Sequence, residues 1–312
     1  MLTDRKNKSL LLIAVVALIC AVLLFVGMPG LDYPRSYYAF WDLGHLLNFS
    51  LWTYLYFTWK PATRYWSQLV LVLVLVFLFG GASELIQAGL GRSASWSDLA
   101  KDLLGSLLAM AFWAPSRHVV KSWQLKLLQL LVAVLVVFSL LPLARVLTDE
   151  LIARQQFPLL SGFEISSEAA RWGGGSRQSL DHQVAYSGAS SLRVELSTQP
   201  YSGVGLKHFP ADWSDYRLVR LHLYNPDPEP LELHFRIHDQ LHRRHDNAHS
   251  DRFNTSFVLP SGWTKIEVPL AQVVVAPKSR TLEISRVAGL LLFVVKLERP
   301  RSFNIDEVLL VR

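Results

Sequence analysis

Leu231-Glu232-Leu233-His234-Phe235-Arg236-Ile237-His238 is the stretch whose pattern decides the architecture of half the chain. Apolar and polar residues alternate along it. A period of two sends one row of side chains into a core and the other to the opposite face, as in a half-buried β-strand. Neighbouring runs repeat the pattern. Leu192, Val194 and Leu196 alternate with Arg193 and Glu195, Leu221 and Leu223 with Arg220 and His222, and Ile266 and Val268 with Lys265 and Glu267. Turn-forming clusters such as Asn225-Pro226-Asp227-Pro228 and Pro260-Ser261-Gly262 separate the runs. Leu290 to Val295, after Gly289, lacks alternation, which predicts a central strand buried on both faces. Regular strands over residues 160–312 without intervening helices predict an all-β jelly-roll sandwich.

Upstream of this region the composition changes. The chain has 312 residues, 51% of them hydrophobic, but the apolar share is concentrated before residue 147. Runs at Leu10–Met28, Phe40–Trp59, Leu69–Ile86, Leu99–Ala114 and Leu125–Leu143 mostly approach the roughly 20 residues that a bilayer core requires. They predict an α-helical membrane bundle of about five transmembrane helices. The expected organisation is a membrane domain over 1–147, a polar connector over 148–159 and a sandwich over 160–312. The first run is long and lacks a small-x-small cleavage site, so it reads as an uncleaved span. Basic residues occupy alternate loops: Arg5, Lys6 and Lys8, then Lys60 and Arg64, then Arg117, Lys121 and Lys126. Cytoplasmic loops are the ones enriched in Lys and Arg, which puts the N-terminus inside and the sandwich on the outer, extracytoplasmic side of the membrane. The net charge of +6 comes without a basic stripe on a recognisable nucleic-acid fold, which argues against that partner. Cys20 is the lone cysteine, so no internal disulfide forms.

The membrane half carries ionisable residues where they are costly unless paired or wetted: Asp42, His45, Glu84, Arg92, Asp98 and Asp102, with Gln87. Glu84 and Gln87 share a helix face, as do Asp98 and Asp102. The predicted topology collects them into one partly wet pocket at the outer leaflet; a polar cluster that locks helices together is the alternative. Imidazole with carboxylates suits acid–base work, and two or three carboxylates suit a divalent metal. No nucleophile elbow, His-Glu-x-x-His or phosphate loop accompanies them, so no catalytic residue is assigned.

Asp42-x-x-His45, Glu84-x-x-Gln87, Arg92, Asp98 and Gly105 resemble the VanZ-like family of bacterial membrane proteins over roughly residues 35–115. The resemblance implies a role at the cell envelope and a link to glycopeptide (teicoplanin) resistance. Two positions depart from the family pattern: Leu43 stands where Lys is frequent, and Asp102 where Asn is common. Downstream, Phe163-Glu164, Ser187-Gly188-Ala189-Ser190-Ser191-Leu192, Trp213-Ser214-Asp215-Tyr216, Trp263-Thr264-Lys265 and Phe303-Asn304-Ile305-Asp306 resemble the landmarks of galactose-binding-like jelly rolls, a fold that many carbohydrate-binding modules share. That resemblance implies a structural Ca²⁺ site, for which Glu164 and Asp306 are the matching positions.

His234, Arg236 and His238 fall on the face opposite the core, about 7 Å apart, and Asp239, Asp251 and Arg252 follow. These groups hydrogen-bond sugar hydroxyls, and the Arg and His excess suits an anionic glycan. A zinc site and a plain solvated face are the rival readings. The reading of the whole chain is an envelope or exopolysaccharide-handling membrane protein with membrane lipid and a polysaccharide or lipid-linked glycan as partners. A membrane enzyme on a lipid-linked precursor, and an assembly factor whose sandwich binds an envelope protein, stay open beside it.

Overall fold

The computed structural model describes residues 2–25, 33–59, 64–89 and 95–312. The chain divides into two compact units, Met1–Val146 and Leu147–Arg312.

The first unit is helical: α1 (Leu2–Phe25), α2 (Arg35–Trp41), α3 (Gly44–Trp59), α4 (Tyr65–Gly89), α5 (Trp96–Trp113) and the first part of α6 (Ser122–Gln156). Two of the described helices, α4 and α6, are long and apolar enough to cross a membrane. That is fewer than the expected five. In α1 the residues with described side chains include a shorter apolar stretch, Leu10–Leu23. α3 has only 16 residues, below what a bilayer core requires. α5 opens on Asp98, Lys101 and Asp102 in its first two turns.

Small residues bring α3, α4 and α5 together. A Cβ on Gly105 would lie 2.2 Å from the Leu46 carbonyl oxygen, and one on Gly80 would lie 2.7 Å from Asp102 Oδ2. The glycine at 80 lets Asp102 and Leu99 of α5 lie against α4, and Phe57, Val72, Val76 and Met110 pack the same three helices together. Ser95 caps α5, its Oγ accepting from the Asp98 amide at 3.3 Å, and Asp98 in the first turn complements the helix dipole.

The second unit is an antiparallel sandwich. Its strands are β1 (Leu159–Ser161), β2 (Trp172–Gly173), β3 (Arg177–Asp181), β4 (Ser191–Leu196), β5 (Tyr201–Leu206), β6 (Leu218–Asn225), β7 (Leu231–Asp239), β8 (Phe253–Leu259), β9 (Gly262–Pro269), β10 (Val287–Val295) and β11 (Arg301–Val311). One sheet runs β3-β4-β11-β6-β9 with β1 added on β11; the other runs β2-β5-β10-β7-β8. The inward rows meet between them. Leu231, Leu233, Phe235 and Ile237 of β7 are buried with Leu192, Val194, Leu221, Leu223 and Trp213.

Strand β10 departs from the expectation. It is central, between β5 and β7, but only one face is in the core. Leu290, Leu292 and Val294 are buried, whereas Leu291 and Phe293 are partly exposed on the other face. The continuous apolar run therefore marks a strand whose second face is an open surface.

Candidate functional site

That open surface is built by register. Opposite Phe293, Leu291 and Gly289 of β10 stand His234, Arg236 and His238 of β7. On the other side Phe293 faces Gly203 and Leu291 faces Gly205 of β5, and Gly173 of β2 faces Gly205. Directly paired residues share a sheet face. A Cβ on Gly203 would lie 2.5 Å from Phe293 Cβ, one on Gly205 2.8 Å from Leu291 Cγ, and one on Gly289 2.5 Å from His238 Cε1. The glycines thus let Phe293, Leu291 and His238 lie flat across neighbouring strands. The result is a groove of about 410 Å³ with an apolar floor, bordered by Tyr201, Lys207, Arg236 and Arg252. Tyr201 is 71% exposed, and the His234 ring stacks on Phe293 at 5.3 Å.

The electrostatics of the groove are one-sided. Burial, then the neighbouring Arg252, push the Arg236 guanidinium down to about 10, so it remains charged at neutral pH. Its Nε is buried without a hydrogen-bond partner. Arg252 Nε donates to Asn254 Oδ1 at 2.8 Å, a neutral acceptor. Burial, followed by the charge of Arg236, pushes His238 down to about 3, which keeps that imidazole neutral. A half-buried cation facing an aromatic floor is equipped to hold an anionic group on a ring-shaped ligand.

Two residues expected at this surface are placed otherwise. Asp239 and Asp251 are buried, and both carboxylates turn to Arg280. Its Nη2 reaches Asp239 Oδ1 and Asp251 Oδ2, each at 2.8 Å, and its Nε reaches Asp251 Oδ1 at 2.6 Å. The Arg280 bonds hold Asp251 down to about 2, and the two carboxylates raise Arg280 above its ordinary value. His242 joins them, its Nδ1 3.2 Å from Asp251 Oδ2. This network anchors the segment after β7 and is spent on structure.

Glu164 and Asp306 do not fit a cation. Glu164 accepts from the amides of Ala189 at 2.9 Å and Ser190 at 3.2 Å. Asp306 accepts from Tyr186, Ser187 and Glu307 amides at 2.7, 3.0 and 2.7 Å. A Ca²⁺ site presents oxygen lone pairs to the ion, whereas these carboxylates already face N–H groups that a cation would repel. Both residues pin the loop 186–190, where Gly188 is required twice over, by its φ of +66 and because a Cβ there would meet Glu164 Oε1 at 2.3 Å.

In the helical unit the structure brings together most of the expected polar residues. His45 Nδ1 lies 2.9 Å from Asp102 Oδ1, and its Nε2 lies 3.8 Å from Asp98 Oδ2. Lys101, absent from the expected set, bridges Asp42 Oδ2 at 2.7 Å and Asp98 Oδ1 at 3.1 Å. Its place on the α5 face shared with Asp98, three residues earlier, was the available signal. Glu84 Oε2 accepts from the Ser95 amide at 2.7 Å. Gln87 is buried on the same helix. Arg92 lies outside the described residues. An apolar cavity of about 520 Å³ reaches Asn48 and Ser83, one turn from His45 and next to Glu84.

Solved structures similar to this chain match it over its C-terminal half. They include a family 11 carbohydrate-binding module from Clostridium thermocellum in complex with a β-1,3-1,4-mixed-linked tetrasaccharide, at 19% identity and TM-score 0.37, covering 49% of this chain and 94% of that one. The family 11 module of a cellulosomal cellulase of the same organism has 17% identity and TM-score 0.35, with 49% and 92% covered. An exo-β-agarase has 15% identity and TM-score 0.40, with 49% of this chain and 24% of the agarase covered. No protein-family model and no curated protein matches the chain. The resemblance of residues 35–115 to VanZ-like proteins therefore rests on their spaced polar residues alone.

Proposed function

We propose that this chain is a membrane-anchored glycan-binding protein of the bacterial cell envelope, and that its sandwich takes an anionic saccharide on the outer face of the β2-β5-β10-β7-β8 sheet. The observation that carries the reading is Arg236. Among the described residues it faces no acidic partner, and it stands beside Arg252 over a floor of Phe293 and Leu291. Burying a lone cation costs stability, and a carboxylate or sulfate on a bound sugar offsets that cost. Tyr201 supplies a wall on which a pyranose ring can stack.

Titration of the full chain in detergent with uronate-bearing oligosaccharides tests this. Arg236→Gln is expected to weaken binding by about 1.5–3 kcal/mol, the range for hydrogen bonds to charged groups. Unchanged affinity in that variant overturns the assignment. The basic residues that flank the helices favour a cytoplasmic N-terminus and an extracytoplasmic sandwich. That arrangement needs an odd number of crossings, so one or all three of α1, α3 and α5 would cross together with α4 and α6.

A second reading, action on a lipid-linked envelope precursor, is favoured by the apolar cavity lined by Asn48 and Ser83, one turn from His45 and next in sequence to Glu84. It predicts turnover that disappears in Glu84→Gln.

A further inference from the structure

We propose that His45, Glu84 and Asp98 form a binding site for a first-row divalent transition cation of the zinc class. The proposal is independent of the glycan reading, because the two sites share no residue. Three helices contribute one ligand each: His45 from α3, Glu84 from α4 and Asp98 from α5. One ligand atom of each lies within 4.8 Å of the other two. Ligands roughly 2.0–2.2 Å from an ion stand at most about 4.4 Å apart, so small side-chain rotations close the site.

Each group is already committed in a way that leaves one ligand atom available. His45 Nδ1 is 2.9 Å from the fully buried Asp102 carboxylate, which holds Nδ1 as the N–H donor and leaves the Nε2 lone pair toward Asp98. A carboxylate behind the imidazole is the arrangement that fixes the tautomer and orientation of metal-binding histidines. Asp98 uses Oδ1 for Lys101, leaving Oδ2 facing His45. Glu84 uses Oε2 for the Ser95 amide. Its other oxygen, Oε1, is buried without a partner on a residue only 5% exposed. A buried carboxylate oxygen with no donor is costly, and a cation placed among the three groups satisfies it.

Charge points the same way. Asp42, Glu84, Asp98 and Asp102 bring four carboxyl groups to the cluster, and among the described residues Lys101 is the one ammonium group paired with them, through Asp42 and Asp98. A divalent ion neutralises the excess. One imidazole nitrogen with two carboxylate oxygens selects zinc-like ions over Ca²⁺ or Mg²⁺, which favour oxygen alone.

The test uses the full chain in detergent, stripped with chelator and titrated with Co²⁺, whose visible absorption reports coordination geometry. The expected result is one Co²⁺ per chain with a band displaced by Zn²⁺. Glu84→Gln should abolish the band. Asp102→Asn should weaken Co²⁺ binding by about 10–100-fold through the loss of the orienting carboxylate. Glu267→Gln on β9, exposed in the other unit, should change nothing. No band in the wild-type chain overturns the proposal without reference to any variant. So does a monodisperse Glu84→Gln protein that binds Co²⁺ as the wild type does.

Discussion

Arg280→Met should loosen the rim of the groove far more than its place on a surface loop suggests. Arg280 donates to two buried carboxylates, with Nη2–Asp239 Oδ1 and Nη2–Asp251 Oδ2 at 2.8 Å and Nε–Asp251 Oδ1 at 2.6 Å. Removing the cation leaves two carboxylates in a protein interior, and breaking a buried ion pair from one side costs about 3–5 kcal/mol. Asp239 ends β7, the strand that carries Arg236, and Asp251 lies just before β8. Exchange of β7 and β8 amides through local opening should therefore accelerate by roughly two to almost four orders of magnitude. Hydrogen exchange read by mass spectrometry on the full chain measures this. Adding Asp239→Asn and Asp251→Asn to Arg280→Met should recover part of the protection, because no uncompensated charge remains. Acid gives a second check. Asp251 is held down to about 2 from 3.8, so its contribution is present above about 3.8 and is lost as pH falls toward 2. An unchanged exchange rate in Arg280→Met would refute the reasoning.

Three further outcomes follow from the same geometry. Gly203→Ala places a Cβ 2.2 Å from the Leu292 carbonyl oxygen, so it should cost about 1–3 kcal/mol as overpacking does and reduce saccharide binding, both readable by melting and titration. Tyr201→Ala removes a ring that is 71% exposed, so it should leave the melting temperature unchanged and cost about 0.5–1.5 kcal/mol of binding. His238, lowered to about 3 from 6.5, favours the neutral folded state, so the stability it contributes is present above about 6.5 and falls as pH drops toward 3. His238→Gln should flatten that part of the pH–stability curve.

The sandwich was legible because its inward rows are apolar and its strands are short enough for a period of two to stand out. The groove was only half legible. Alternation placed His234 and Arg236 on the outer face of β7, but its floor comes from Gly203, Gly205 and the partly exposed Leu291 and Phe293. Glycine within a strand carries no side-chain pattern of its own, and Leu291 and Phe293 read as core. Only the pairing of β5 with β10 reveals that one accommodates the other. Asp239 and Asp251 misled for a related reason: their partner, Arg280, follows Asp251 by 29 residues and carries no local signature. In the helices, the i, i+3 and i, i+4 spacings of Glu84–Gln87 and Asp98–Asp102 do mark faces. Length alone overstated the spans, because α3 is short and α5 begins with charge.

The measurement that bears most directly on the central claim is a paired titration of the full chain with one oligosaccharide backbone in two forms, one carrying carboxylates or sulfates and one neutral. Binding of the charged form alone, weakening as salt rises and lost in Arg236→Gln, is the predicted result. Equal affinity for both forms, or charged-form binding that ignores Arg236, would contradict an anionic-glycan groove on this sheet.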